Sequence, residues 1–280
     1  MSREGRRQTV GFGVLLLATI VVVVPVVFIV GMIVAKGWSA LSLDFLFTMP
    51  TEGMKAGGIF PALVGTILLV GVAVLFSMPI GVMAAIYLSE YAKDNLLTRL
   101  INLAIINLAG VSSVVYGLFG LSLFVVFLKF GVSIISGALT LGIMTLPVII
   151  TTTREALRTV PRSYREVSFS LGASRWQTVR HSVLPSAVPG ILTGAILSIG
   201  RIAGETAPIL FTVAAFYLPR LPHGLSDQAM ALPYHLYIIS TQIPGIPENI
   251  RYGTALVLIG FVLVLNISAT IIRARYRKRK

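Results

Sequence analysis

Arg201 and Glu205 stand four residues apart within an otherwise apolar run over residues 186–219. A charge at the centre of a bilayer costs at least about 2.5–3.5 kcal/mol on insertion scales, so both must face protein or water, and they mark a functional position by default. On one helix the i,i+4 spacing places them on the same face, where they can pair. A guanidinium offers forked donors that suit an oxyanion, whereas a carboxylate repels an anion unless one of the two is protonated. Two readings follow: a polar station on a pathway, or a structural brace between helices. Thr206 and Pro208 follow directly and can loosen the helix, exposing backbone groups, although proline in a span is often merely tolerated.

Other chemistry has little to build on. The chain lacks cysteine, and its three histidines, His181, His223 and His235, sit in unrelated segments. A disulfide framework and a thiolate metal site are therefore excluded, and no histidine cluster suggests a metal. No G-x-x-x-x-G-K-[S/T] loop is present to cradle nucleotide phosphates, so the chain does not hydrolyse ATP by that route. Any ATP-derived drive must reach it through contact with a partner. The apolar runs carry no paired polar constellation of the kind an intramembrane enzyme needs.

The elements that hold Arg201 and Glu205 are membrane spans. The 280 residues are 56% hydrophobic and 12% charged, against roughly 25% charged in soluble domains. The net charge of +13 does not form the single solvated stripe that nucleic acid requires, because the basic residues lie between apolar runs. Apolar runs over 10–35, 60–91, 99–128, 132–152, 186–219 and 252–272 predict six helices that cross the bilayer. The join marked by Lys129, Phe130 and Gly131 is the weakest boundary. The first run is too long for a cleaved signal peptide and has no small-x-small site, and Pro25 within it is tolerable.

Of the 23 Lys and Arg, 17 fall on one side of this six-span arrangement, five on the other, and Arg201 lies within the fifth span. Cytoplasmic loops are enriched in Lys and Arg, so both termini are expected inside, with the tail RARYRKRK anchoring the topology near anionic lipid. Two connections are too long for turns: a Pro- and aromatic-rich stretch outside, 220–251, and an amphipathic one inside, 153–185. The expected organisation is a tail, first span and outer loop over 1–59, a transmembrane unit over 60–272 that contains the inner loop, and a basic tail over 273–280.

The inner loop reads as two short helices joined at Gly172. Ser163 with Glu166 and Ser174 with Gln177 each make an S-x-x-[E/Q] capping box, and Pro185 and Pro189 mark entry into the fifth span. On residues alone, this hairpin fits equally a helix that packs into a partner's groove and an amphipathic linker on the membrane surface.

From Glu166 the loop resembles the EAA loop of ABC importer permeases, E-A-A, three residues, G, nine residues, I-x-L-P. Glu166, Gly172, Leu184 and Pro185 match at that spacing, while Val167, Ser168 and Ser182 depart from it. AGVSSVVYGLFGL (109–121), TLPVIITTTREALRTVP (145–161), LGASRWQTV and GRIAGETAPILFT (200–212) are similar to the phosphate-specific branch, the PstA family. Ser112 stands where that family's GVPS-type stretch has proline, so the resemblance does not supply a proline kink there.

The resemblance implies an all-α integral membrane protein of six transmembrane helices with the type I ABC importer (MetI-like) permease fold, in a bacterial or archaeal plasma membrane. It implies Tyr164 to Leu171 as a coupling helix seated in an ATPase cleft. The coupling residues are then Tyr164, Glu166, Ser170, Leu171, Gly172, Ala173, Leu184 and Pro185, with Arg201, Glu205 and Thr206 on the substrate pathway. Implied partners are a PstC-like second permease, a PstB-like ATPase dimer that carries ATP and Mg, and a PstS-like extracytoplasmic phosphate-binding protein; the chain itself would bind no cofactor. A permease for molybdate, sulfate or amino acids is the alternative within this class, and a membrane scaffold without transport the alternative outside it.

Overall fold

The computed structural model describes residues 3–278. Met1, Ser2, Arg279 and Lys280, the last two at the end of the tail read as a topology anchor, lie outside the described residues, as do the side chains of 3–7, 9–10 and 276–278. In chain order the helices are α1 (Arg3–Gly37), α2 (Leu43–Phe47), α3 (Phe60–Ile86), α4 (Leu96–Ala109), α5 (Ser113–Gly120), α6 (Ile134–Arg158), α7 (Arg162–Ser170), α8 (Arg175–Thr178), α9 (Leu184–Gly204), α10 (Ala207–Thr212), α11 (Leu232–Thr241) and α12 (Glu248–Lys278). A two-residue antiparallel pairing of β1 (Pro50–Thr51) with β2 (Ala56–Gly57) closes the loop before α3.

Helix α6 is the hub. Two-thirds of its most apolar stretch is buried, whereas the corresponding stretches of α1 and α12 are not buried at all. It lies against α3 and α9 through small residues: Gly81 of α3 meets Ile149, and Gly190 and Gly194 of α9 meet Ala156 and Thr152. A methyl group at Gly194 would overlap Thr152, so the close crossing needs glycine there. The hydroxyls of Thr140, Thr145 and Thr152 turn back to carbonyls four residues earlier at 2.7–3.0 Å. These three hydroxyls therefore enter the apolar bundle already satisfied, whereas those of Ser77, Thr153 and Ser198 are buried without a partner.

Among the described residues five helices are long and apolar enough to cross a membrane without interruption, and the bent pair Leu96–Ala109 with Ser113–Phe127 makes six if it is counted as one span. The break expected at Lys129 to Gly131 is present: both residues have positive φ, 56° and 67°, and Ser133 caps α6 by accepting from Ser136 N. Three boundaries differ from the sequence-based expectation. The third span is not one helix, because α4 and the helix that starts with α5 meet at 106° across residues 110–112. Gly110 and Val111 close α4 with tight turns onto Asn107 and Leu108 carbonyls, and Ser112 restarts the chain in an extended conformation (φ −62°, ψ 142°) without needing proline.

The fifth span begins earlier and ends earlier than 186–219. It runs as a single helix from Arg175 to Gly204, through a wide π turn at Val179–Val183. The chain leaves helical geometry at Glu205, and Pro208, which lacks an N–H, opens the separate α10. The stretch 220–251 is not a simple outer loop. Its apolar sequence AMALPYHLYII folds inward, so that Ala229, Ala231, Leu232 and Ile239 are almost wholly buried, and Leu232 N donates to Thr66 Oγ1 of α3 at 2.8 Å.

Candidate functional site

Arg201 occupies the last turn of α9, and Glu205 is the first residue beyond the helix, with extended backbone (φ −76°, ψ 135°). The pair expected from i,i+4 spacing on a continuous helix thus forms across a helix end. Arg201 Nε lies 3.4 Å from Glu205 Oε1, and the side chains are 36% and 18% exposed. Charge-assisted N–H···O bonds are usually about 2.7–2.9 Å, so this contact is loose. Among the described residues it is the guanidinium's one hydrogen bond, which leaves the Nη fork unengaged. A cation in the last turn also complements the negative end of the α9 dipole. Thr206 sits at the discontinuity, half-buried, with no side-chain cap of α10; its carbonyl accepts from Leu210 N at 3.1 Å.

The depth of this site follows from α12, which runs antiparallel to α9. Arg273 donates to Thr193 Oγ1 at 3.0 Å, and Gly200 faces Asn266. At 1.5 Å per residue, Arg201 lies about 12 Å from the level of Arg273 and about 20 Å from that of Tyr252, between the two ends of the apolar span. The break at residues 110–112 comes to the same place: Val111, Tyr116, Ile202, Ala203 and Ile209 share one apolar cluster, and Gly117 packs on Pro208 and Phe211. Two interrupted helices therefore meet at one depth. Non-helical backbone inside a membrane is tolerated where it is buried in protein or lines a watery cavity. Sequence reasoning missed this coincidence, although the Gly-Val-Ser-Ser run carried the signal of a break.

At the end of the bundle away from Glu205, α7 and α8 form the expected hairpin. Gly172, at φ +80°, follows α7 in the left-handed conformation; Gly172 N bonds Phe169 O and Ala173 N bonds Ser168 O, a Schellman closure. The second capping box is present, with Ser174 and Gln177 bonding reciprocally. The first is not: α7 starts at Arg162 with Pro161 as its cap, and Ser163 makes no cap bond. Nor is α8 a separate element, since it continues into α9.

The residues assigned to coupling divide into two groups. Tyr164, Val167 and Leu171 form an exposed apolar strip on α7, Leu171 being 83% exposed. Glu166, Ser170 and Gly172 are also exposed, and Ala173 is half-buried. Leu184 lies instead at the root of α9, packed on the cluster of Leu157, Val160, Val179 and Val183, and Pro185 follows it in the first turn of α9. Leu184 is half-buried and Pro185 exposed, so Leu184 is the one of the two that packs on the bundle.

Sequence reading passed over the contact that ties the hairpin to the spans. Arg165 donates twice to Glu90, at 2.6 and 3.2 Å, and also to the carbonyls of Leu157 and Val160 at 3.1 and 3.0 Å. Glu90 belongs to the wide helical turn Tyr87–Tyr91 that ends α3. A single guanidinium therefore joins α7 to the inner ends of α3 and α6. The available signal was an acid and a base at the ends of different elements, which no local periodicity connects.

Residues 77–280 match the family described as binding-protein-dependent transport system inner membrane component. The chain is 38% identical over 251 residues to the probable ABC transporter permease protein YqgI of Bacillus subtilis, 85% of each chain being covered. It is 36% identical over 269 residues to phosphate transport system permease protein PstA 1 of Mycobacterium tuberculosis, covering 93% of this chain and 85% of that one. Among solved structures it resembles a bacterial alginate ABC transporter in complex with a pentasaccharide-bound periplasmic protein, with a TM-score of 0.71 at 15% identity over 98% and 96% of the two chains. It also resembles the inward-facing MetNI methionine ABC transporter, with a TM-score of 0.62 at 16% identity over 77% and 94%. At these identities the structural likeness concerns the fold.

Proposed function

Since the chain belongs to the family of binding-protein-dependent transport system inner membrane components, we propose that it forms half of the translocation pathway of an ATP-driven phosphate importer. The observation that carries the cargo is the Arg201 guanidinium, half-buried at a helix end within the span, its Nη fork unengaged beside Glu205. Such a fork matches a tetrahedral oxyanion. Similarity to phosphate transport system permeases over 93% of the chain supports the same cargo. Glu205 then accepts a hydrogen bond from a protonated phosphate oxygen and disfavours fully deprotonated oxyanions, and Thr206 lines the pathway beside it.

The remaining parts follow from what the chain lacks. It has no phosphate loop of its own, so a pair of ATPase subunits holds ATP and Mg; the binding-protein-dependent family supports the rest, a second permease of related sequence that completes the pathway and an extracytoplasmic binding protein that delivers phosphate. Both termini and the α7–α8 hairpin lie in the cytoplasm, in keeping with the Lys and Arg distribution. Nucleotide-driven closure of the ATPases moves α7 through its exposed apolar strip, and the Arg165 tie carries that motion to α3 and α6.

The test is ATP-driven uptake of labelled phosphate by proteoliposomes that contain the complete assembly, with and without this chain. Uptake should depend on the chain and be competed weakly by sulfate. Undiminished uptake without the chain would remove the proposal, and sulfate competition equal to that of phosphate would remove the role of Glu205.

A further inference from the structure

A second polar site lies at the inner ends of the spans, away from Arg201. A cavity of about 500 Å³ opens between α7 and the inner ends of α3 and α6, and Arg154, Arg158, Arg162 and Arg165 line it with Glu90 and Glu166. Their hydrogen bonds are unequal. Arg165 and Glu90 satisfy each other. Arg154 donates through Nη1 to Asn102 of α4 at 2.6 Å, but its Nε is buried without a partner. Arg158 meets only Glu155, at 3.1 Å, with both side chains mostly exposed, a contact of little energetic weight. Arg162 has no hydrogen bond or ion pair among the described residues, and neither does Glu166.

Three guanidiniums from two elements thus converge with donors to spare. Arg154, Arg158, Arg162 and Arg165 outnumber Glu90, Glu155 and Glu166 by one charge, and their spare forked donors suit phosphate oxygens. The setting narrows the source of that anion. Asn102 brings Arg154 against α4, and α4 presents Leu96, Leu97, Leu100 and Leu103 to the outside, each at least half exposed. These four leucines make an apolar face of α4 that is turned away from Asn102 and is open to acyl chains at the same end of the bundle. Basic pockets between helices on the cytoplasmic side are suited to anionic headgroups.

We propose that this cavity binds a phosphate group at the inner membrane surface, carried by an anionic phospholipid or present as free inorganic phosphate. Arg154 and Arg158 from α6 and Arg162 from α7 hold the phosphate oxygens. Glu166 receives a headgroup hydroxyl, or the proton of monobasic phosphate. Because the occupant spans α6 and α7, it fastens the hairpin to the bundle alongside the Arg165 tie. This site does not depend on the cargo of the pathway.

The test uses the purified full-length chain, delipidated in detergent and titrated with phosphatidylglycerol, phosphatidylcholine or inorganic phosphate, with retained lipid counted by native mass spectrometry and phosphate by equilibrium dialysis. Arg158→Gln with Arg162→Gln leaves the Arg165 tie intact, and helical content measured by circular dichroism checks its fold; Arg162→Gln alone serves if the double variant is unstable. Wild type should retain phosphatidylglycerol about tenfold over phosphatidylcholine, and the double variant should lose that preference. Displacement of the lipid by millimolar phosphate, or phosphate retention lost in the variant, would identify the free ion as occupant. No preference for phosphatidylglycerol together with no phosphate retention overturns the proposal, as does equal binding of either probe by wild type and variant.

Discussion

Arg165 and Glu90 are 75 positions apart in the chain and join at 2.6 Å, with side chains only 20% and 11% exposed. Removing one member of a buried pair costs about 3–5 kcal/mol because the other charge is stranded, whereas replacing both with apolar residues is often neutral. Glu90→Gln should therefore lower the thermal stability of the inner end. Glu90→Leu with Arg165→Leu should regain it, yet an assembly that contains this variant should move less phosphate per ATP hydrolysed by its ATPase subunits. An unchanged ratio of uptake to hydrolysis in the double variant would mean that the tie is only structural.

Arg201 and Glu205 separate a pathway role from a brace. Stranding one charge costs less than it would in a fully buried pair, because Arg201 is 36% exposed. Arg201→Leu with Glu205→Leu should assemble and fail to transport, and Arg201→Lys should assemble with strongly reduced uptake, since an ammonium keeps the charge but loses the fork. Near-normal phosphate uptake by the double leucine variant would identify the pair as a brace.

Gly172 tests the hairpin. No atom lies close enough to block a side chain there, so the cost of substitution is that of the positive φ. Gly172→Ala should destabilise the α7 end by roughly 1–2 kcal/mol. Gly172→Asp adds a negative charge at the negative end of the helix dipole, and should insert normally while recovering less ATPase on co-purification. Full recovery and full uptake by the aspartate variant would show that the hairpin is not the docking element.

Topology can be read from single cysteines in a chain that has none. Ser174→Cys should react with impermeant maleimide only from the cytoplasmic side, and Leu225→Cys only from the opposite side. Ala231→Cys, at a fully buried position, should resist both. Labelling of Ser174→Cys from outside would invert the arrangement.

The apolar runs were enough to locate the long helices, because lipid demands long apolar helices and little else can satisfy their backbone. Gly172 and the Ser174 box were legible for a similar reason: local backbone geometry selects those residue types. The break at Ser112 was harder to see, since a helix can be closed by tight turns and restarted by an extended residue without proline. The inward fold of 229–239 was read as an outer loop because its prolines and aromatics look the same whether they face solvent or core. Arg165 with Glu90 was invisible for want of any local pattern: only the packing of α7 against α3 and α6 brings the two together.

The unbroken helix from Arg175 to Gly204 has a mechanical consequence. Its close crossing with α6, at Gly190 and Gly194, lies between its two ends and can serve as a fulcrum. From that point the inner arm to Trp176 is about 24 Å long and the outer arm to Arg201 about 14 Å, at 1.5 Å per residue. A rigid tilt that carries Trp176 sideways by about 2 Å moves Arg201 by about 1 Å in the opposite sense, an angle of only about 5°. Glu205 follows Gly204 directly and its N–H bonds Ile202 O at 3.3 Å, so the tilt carries the Arg201–Glu205 pair as a unit, and the displacement is taken up where Ile202 and Ala203 pack on Tyr116 of α5.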